Sequence, residues 1–255
     1  MLPSTLTFRL VILSAAERSR RICFSYPSHK PIPRHALKNL PIKQRIPQKR
    51  LQFLMMTTNY RAALLHLLSR ISFKLGEFKL SSGGTSDYYI DCRTTTLHAE
   101  GGRLTGLAIL ELLHQQKIKP AAVGGLTMGA DPIVSNVASA SAWHAQEHHG
   151  APLIHGFLVR KAEKAHGTGR RIEGFFEKEA PVLIVDDVCT TGASTITAIE
   201  AARESGMKVI AVACLVEREE AKGRAAVEAA AQGAPFFALY TANDVRAAHI
   251  RQMAL

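Results

Sequence analysis

Four apolar residues in unbroken succession, Val182 to Val185 (VLIV), run directly into two acids, Asp186 and Asp187. A strand with one wet face alternates apolar and polar residues, so an unbroken run fits a strand buried on both faces. VIAVACLV at 209–216 repeats the pattern. The segments around these runs alternate between helical and strand-like character. Their pattern predicts a helix over 101–116, a strand over 121–126, a helix over 132–147 and a strand over 153–160. A Gly-rich polar stretch at 165–174 follows, then a strand over 181–186, a helix over 193–205 and a strand over 208–216. An Ala-rich helix over 220–232 and a strand over 236–240 complete the series. Strands alternating with helices imply an α/β fold, a doubly wound and mostly parallel sheet. In such sheets ligands sit beyond the carboxyl ends of the strands.

Ahead of this series the pattern differs. Leu64, Leu65, Leu68 and Ile71 form a helical stripe and Gly76 reads as a stop, which predicts a first helix over 59–74. Residues 77–92 place Gly83-Gly84 between two short runs containing Phe78, Leu80, Tyr88, Tyr89 and Ile90, the pattern of a β-hairpin. Helix and hairpin, about 59–93, form a small N-terminal hood.

The chain has 255 residues and a net charge of +11, and the charge is unevenly placed. Residues 1–56 hold eleven Lys or Arg against Glu17 alone, with six of the eleven prolines. Low acid content, many prolines and no sustained periodicity argue against a packed domain there. Three readings stand for this appendage: a targeting segment, a nucleic-acid-binding arm, or sequence upstream of a start at Met55 or Met56. Residues 57–255 carry 21 basic and 20 acidic groups and read as one nearly neutral domain. That balance disfavours a nucleic-acid partner. The four cysteines, Cys23, Cys92, Cys189 and Cys214, have no metal-type spacing, and reduced thiols in a cytoplasmic protein are the simplest expectation. No apolar run reaches the roughly 18–20 residues of a membrane span.

Asp186 and Asp187 stand at the carboxyl end of a buried strand, where adjacent acids are costly without a partner. A polyhydroxyl ligand supplies one: carboxylates accept hydrogen bonds from ribose hydroxyls and stabilise positive charge at an anomeric carbon. Thr190, Thr191, Gly192, Ala193, Ser194 and Thr195 lead into the next helix, presenting hydroxyls and backbone N–H groups suited to a phosphate. A helix start capped by Ser or Thr accounts for any one of these residues, but less well for the whole string. No Gly-Lys-Ser/Thr occurs, so this is not a nucleotide-triphosphate P-loop.

The string VLIVDDVCTTGAST, 182–195, resembles the phosphoribosyl pyrophosphate (PRPP) signature of type I phosphoribosyltransferases. The resemblance implies that Asp186 and Asp187 hold the ribose hydroxyls, with Asp187 catalytic, and that Val188, Cys189, Thr190, Thr191, Gly192, Ala193 and Ser194 surround the 5-phosphate. Cys189 sits at a variable position of the signature. RKAEKAHGTGRRIEG, 160–174, resembles the mobile loop of orotate phosphoribosyltransferases, which implies contacts from Arg160, Lys161, Lys164 and His166 to pyrophosphate. Lys164 and His166 would act catalytically across a homodimer interface. FKLGEFKLSSGGTSDYYIDCR, 73–93, resembles the hood of that family, implying an orotate site at Ser82, Gly83 and Tyr89, with Thr190 and Arg218 completing it. Ser81, Thr127 and Met128 depart from the family, where many members carry a Lys, a Tyr and a Lys. Asp131 reads either as a metal organiser or as a helix cap.

The implied activity is transfer of the 5-phosphoribosyl group from PRPP to orotate, in pyrimidine biosynthesis. Mg2+ is the implied cofactor, carried on the diphosphate with no metal cage of protein side chains. Two alternatives remain: a purine-type phosphoribosyltransferase, and a nucleic-acid-binding regulator on the same fold.

Overall fold

The structure is a computed structural model that describes residues 59–79, 84–161 and 171–254. The segment 1–56, the hairpin residues Ser81, Ser82 and Gly83, and the loop residues Lys164 and His166 lie outside the described residues.

Helix α1, Tyr60–Ile71, starts behind Asn59, whose side chain accepts the Ala62 N–H at 2.8 Å. It ends three residues short of the expected 74. Phe73 and Lys74 instead open strand β1, Phe73–Lys79, which pairs antiparallel with β2, Thr85–Ile90. Phe73 lies opposite Ile90 and its ring stacks on Tyr88 at 5.5 Å, so cross-strand packing overrides the helical stripe. Gly76, expected as a helix stop, sits inside β1 at φ +153°, where the register slips between Leu75 and Phe78. Glycine at such a slip marks an irregular strand.

A short helix α2, Arg93–Thr96, leads to α3, Ala99–Gln115. Then follow β3, Ala122–Leu126; α4, Asp131–Glu147; β4, His155–Val159; and β5, Ile172–Gly174. The remaining elements are β6, Pro181–Cys189; α5, Ala193–Glu204; β7, Lys208–Glu217; α6, Gly223–Ala231; β8, Phe236–Thr241; and α7, Ala242–Met253.

Strands β3 to β8 form one sheet in the order β5-β4-β3-β6-β7-β8. All neighbours are parallel except β5, which runs antiparallel along β4. The chain steps outward from β3 to β4 and later resumes on the other side of β3 with β6, β7 and β8. The winding therefore reverses between β3 and β6, and the loops after these two strands flank the crevice where such sheets bind ligands.

Successive residues of β6 point to opposite faces. Leu183 and Val185 join a core made with α1, α3, α4 and α7, through Leu64, Ile109, Ile133 and Val245. Val182 and Ile184 join a second core with α5 and α6, through Ala198, Ile199 and Val227. Burial on both faces is the reason the strand reads as VLIV.

Three parts of the fold differ from expectation. Residues 172–174, read as part of a polar loop, form the edge strand β5. The helix expected over 220–232 is broken: Glu219–Ala221 form a 3-10 turn, Lys222 takes φ +55°, and the helix proper begins at Gly223. Helix α7 was not anticipated at all. It opens on a capping box in which Thr241 Oγ accepts the Asp244 N–H at 3.1 Å and Asp244 accepts the Thr241 N–H at 2.8 Å.

Both cores are close-packed, so Leu183→Ala and Ile184→Ala should each cost about 2–5 kcal/mol in urea unfolding. Losses below about 1 kcal/mol at either position would show that the corresponding face of β6 is not packed as described.

Candidate active site at the carboxyl ends of β3 and β6

Asp186 and Asp187 lie within the last turn-ward residues of β6, which runs on to Cys189 rather than ending at 186. Alternation along the strand gives them different surroundings. Asp186 is only 6% exposed; its Oδ2 accepts the Thr195 hydroxyl at 2.6 Å and its Oδ1 accepts the Asp187 N–H at 3.0 Å. Burial, with the Asp187 charge beside it, pushes the Asp186 carboxyl from 3.8 up to about 6, against the opposing effect of the Thr195 bond. Asp187 is half-buried, and its Oδ1 accepts the Val188 N–H at 2.8 Å. Of the two, Asp187 is the carboxylate presented to the crevice.

The loop after β6 is shaped by two close approaches. Gly192, at φ +80°, turns the chain into α5, and a Cβ there would stand 2.4 Å from Val227. On α6, a Cβ at Gly223 would stand 2.0 Å from the Thr190 carbonyl oxygen. Only residues without side chains let α6 press against the 190–192 loop. Helix α5 starts behind Gly192 without a side-chain cap hydrogen bond, which leaves its first N–H groups free of a capping side chain, and Thr191 and Ser194 beside them are exposed. Thr190 is partly buried, and Ala193 is exposed. The Cys189 side chain is directed inward. It is buried beside Cys214, whose thiol lowers the Cys189 thiol pKa by hydrogen bonding, so Cys189 offers a ligand only its backbone.

The loop after β3 meets this one. A Cβ at Gly129 would lie 2.6 Å from Asp187 Oδ1, so the backbone at 129 runs against the carboxylate. Thr127 donates its N–H to Val159 at 2.9 Å, Met128 is 68% exposed, and the peptide between them is cis. Asp131 is not a helix cap: it is the first residue of α4, behind Ala130. Its buried Oδ1 has no hydrogen-bond partner among the described residues, and burial raises its pKa. At the end of β4, Arg160 bonds through its N–H to Arg171 and through its guanidinium to Glu173 at 3.4 Å, while Lys161 is exposed.

The hairpin closes another side. Tyr88 is buried, and burial together with its bond to Glu220 pushes its phenol up to about 12, so it remains a donor at neutral pH. Tyr89 points the other way, 43% exposed, with its ring 5.5 Å from Phe78. Arg218, expected at an orotate site or else as an exposed helix start, is neither loose nor exposed. Its Nε donates to Tyr88 Oη at 2.9 Å and to Glu220 at 3.0 Å, and its Nη2 donates to Ser86 at 3.2 Å. The sequence pattern grouped Thr195 with the hydroxyls suited to a phosphate, whereas its hydroxyl donates to Asp186. The contact of Gly129 with Asp187 and the parts played by Tyr88 and Glu220 were not legible, because they depend on pairing between distant segments.

The sign of the Asp186 shift sets its pH dependence. The folded carboxyl holds its proton to a higher pH than the unfolded one, so its contribution is fully present below pH 3.8 and is lost as pH rises to about 6. Asp186→Asn should therefore gain thermal stability over the wild type between pH 4 and 7, by up to about 3 kcal/mol in the ligand-free protein. A stability difference independent of pH would contradict this.

Comparison with known proteins agrees with the geometry. The Phosphoribosyl transferase domain matches residues 160–229, which run from just after β4 through most of α6. The orotate phosphoribosyltransferase of Streptomyces coelicolor is 40% identical over 188 residues, covering 74% of this chain and 98% of its own length. That of Aquifex aeolicus is 39% identical over 188 residues, covering 72% and 97%. The orotate phosphoribosyltransferase of Mycobacterium tuberculosis, crystallised with Fe(III) dicitrate, superposes with a TM-score of 0.62 at 37% identity, covering 73% of this chain and 98% of the other. A second crystal structure of that enzyme, in complex with PRPP, gives a TM-score of 0.58 at 33% identity, covering 73% and 99%. With about 40% identity over nearly the whole length of these relatives, and a glycine-turned loop following an aspartate pair at the end of β6, the chain belongs to the orotate phosphoribosyltransferase family.

Proposed function

We propose that this protein transfers the 5-phosphoribosyl group from PRPP to N1 of orotate, releasing pyrophosphate and forming orotidine 5'-phosphate for pyrimidine synthesis. The observation that carries the reading is the meeting of the Asp187 carboxylate with the Gly129 backbone at the sheet's switch point, beside the uncapped start of α5. A ribose phosphate has a carboxylate for its hydroxyls and N–H groups for its phosphate within that crevice.

In this reading Thr190, Thr191, Gly192, Ala193 and Ser194 hold the 5-phosphate, with Val188 and Cys189 shaping the loop from behind. Asp187 takes the ribose hydroxyls. Asp186, already bonded to Thr195, fixes the backbone that carries Asp187. As the bond at C1' breaks, positive charge grows on the ribose and negative charge on the departing diphosphate. Asp187 stabilises the first. Arg160, Lys161, Lys164 and His166 stabilise the second, and cations on a closing loop act more on the transition state than on the ground state. Ser82, Gly83, Tyr89, Thr190 and Arg218 receive orotate.

Mg2+ fits this donor set as an ion carried by the substrate. Among the described residues no group of three or more His, Cys, Asp or Glu side chains could hold a metal, whereas Asp187 offers a hard oxygen beside the diphosphate site. When bound, the ion would supply positive charge against the diphosphate, with the Asp187 carboxylate available to hold it. The protein works as a cytoplasmic homodimer, with the partner subunit's Lys164 and the partner subunit's His166 reaching this site. Residues 57–255 form the enzyme domain, and residues 1–56 take no part in the chemistry. Among the described residues no helix is long and apolar enough to cross a membrane.

Acceptor choice tests the reading directly. With PRPP and Mg2+ the purified protein should consume orotate and leave adenine and hypoxanthine unchanged; the reverse pattern would favour the purine-type alternative. Lys164→Ala should lower kcat by roughly 100-fold or more, as loss of a transition-state charge contact does, while shifting stability by less than about 0.5 kcal/mol. Mixing Lys164→Ala subunits with Asp187→Ala subunits should restore part of the activity. No recovery from the mixture would argue against sites shared between subunits.

A further inference from the structure

The acceptor side of the site contains an arrangement that the transfer reaction does not by itself explain. Arg218 follows β7, and its backbone is tied to the end of β6, where its N–H donates to the Cys189 carbonyl at 2.8 Å. Its side chain is only 14% exposed. One edge of the guanidinium is fully used: Nε donates to Tyr88 Oη and Glu220 Oε1, and Nη2 donates to Ser86 Oγ. The Tyr88 ring lies 4.6 Å from the guanidinium carbon, and the Tyr88 hydroxyl donates to Glu220. Tyr88 is in turn held by stacking on Phe73 at 5.5 Å. Among the described residues Nη1 has no hydrogen-bond partner.

We propose that Tyr88 and Glu220 are positioning residues for acceptor recognition, holding Arg218 by one edge so that its free Nη1 is aimed at the anionic acceptor before it arrives. This rests on the reading above, in which Arg218 meets orotate. An arginine on the surface samples many rotamers and loses that freedom on binding, whereas one locked in advance has already lost it. The lock also explains why the chain breaks at Arg218 to Lys222 instead of running directly into α6. The 3-10 turn at Glu219–Ala221 carries the Glu220 carboxylate to Tyr88 and Arg218. Ser86 is a lesser contact, since its hydroxyl donates to the Tyr88 carbonyl at 2.8 Å within its own strand.

A simple staple between hairpin and sheet would have the same contacts, and kinetics separate the two roles. Tyr88→Phe keeps the stack on Phe73 and the ring beneath Arg218 but removes the hydroxyl; Glu220→Gln keeps the shape and removes the charge. Both should raise KM for orotate about tenfold, the size expected for a lost bond to a charged group. KM for PRPP and kcat should stay within about twofold and the melting temperature should hardly move. In an Arg218→Ala background, Tyr88→Phe should add nothing, because its effect passes through the arginine.

The proposal is overturned if both variants leave KM for orotate unchanged. It is also overturned if KM for both substrates shifts together with a falling melting temperature, or if Tyr88→Phe and Arg218→Ala effects add. Wild-type protein that does not use orotate at all would overturn the functional reading itself, a result distinguishable from an active wild type with unaffected variants.

Discussion

The hydrogen bond from Thr195 to the buried carboxylate of Asp186 organises the site. A carboxylate taken out of water at a strand end is unfavourable, and two donors offset part of that cost: the Thr195 hydroxyl and the Asp187 N–H. Thr195 lies in the first turn of α5, so the bond ties the strand to the start of the helix. The five residues between Thr190 and Ser194 must then turn tightly enough to let it form, which requires the left-handed conformation of Gly192. The same bond leaves Asp187, one residue on and facing the other way, as the carboxylate available to a ligand. A buried, proton-retaining acid and a half-buried partner are thus two consequences of one strand's alternation.

This arrangement holds its shape because the elements around it leave little room. The backbone at Gly129 runs against Asp187, and α6 presses through Gly223 onto the Thr190 carbonyl. Neither contact would survive a Cβ. Both loops are anchored on strands whose two faces are packed into separate cores. A rigid sheet carrying short loops positions polar groups better than long loops could, and the carboxyl ends of β3 and β6 are where those groups converge.

The sheet was readable from VLIV and VIAVACLV because burial on both faces imposes continuous apolar runs. The turn from β6 into α5 was readable because strand, acids, glycine and hydroxyls are contiguous in sequence. Where interactions were distant, the sequence was a poorer guide. Phe73 and Lys74 fit the stripe of α1, yet their partners across the hairpin, Ile90 and Tyr89, take them into β1. Strand β5 has three residues and exists because β4 offers an open edge. Helix α7 was legible in principle: Thr241 and Asp244 stand at capping-box spacing, ahead of Val245, Ala248 and His249 on one stripe. Its apolar stripe is weak, with Asn, Asp, Arg, His and Gln interleaved along it, so the Thr-Ala-Asn-Asp start carries the signal alone. Arg218 shows the opposite case. Its position at a strand end pointed to a ligand, but nothing local indicated that Tyr88, 130 residues earlier, would lie beneath it.

That distant contact gives the two halves of the site different mechanical characters. Asp186, Asp187 and the loop after them come from the sheet and the helices packed on it. Arg218 also follows the sheet, but it is held jointly by Glu220 of the 3-10 turn and by Tyr88 and Ser86 of the hairpin. The hairpin is tied back through Arg246 to Asp87 at 2.6 Å and through Phe73 against His249, with ring centres 5.0 Å apart. Helix α7 therefore supports the hood. The loop after β6 depends on the central strands and on the two helices packed against it, α5 and α6, whereas the orientation of Arg218 depends also on docking of the hairpin. Changes that loosen the hood will reach the Arg218 side chain first, leaving the aspartate pair and the loop after β6 in place.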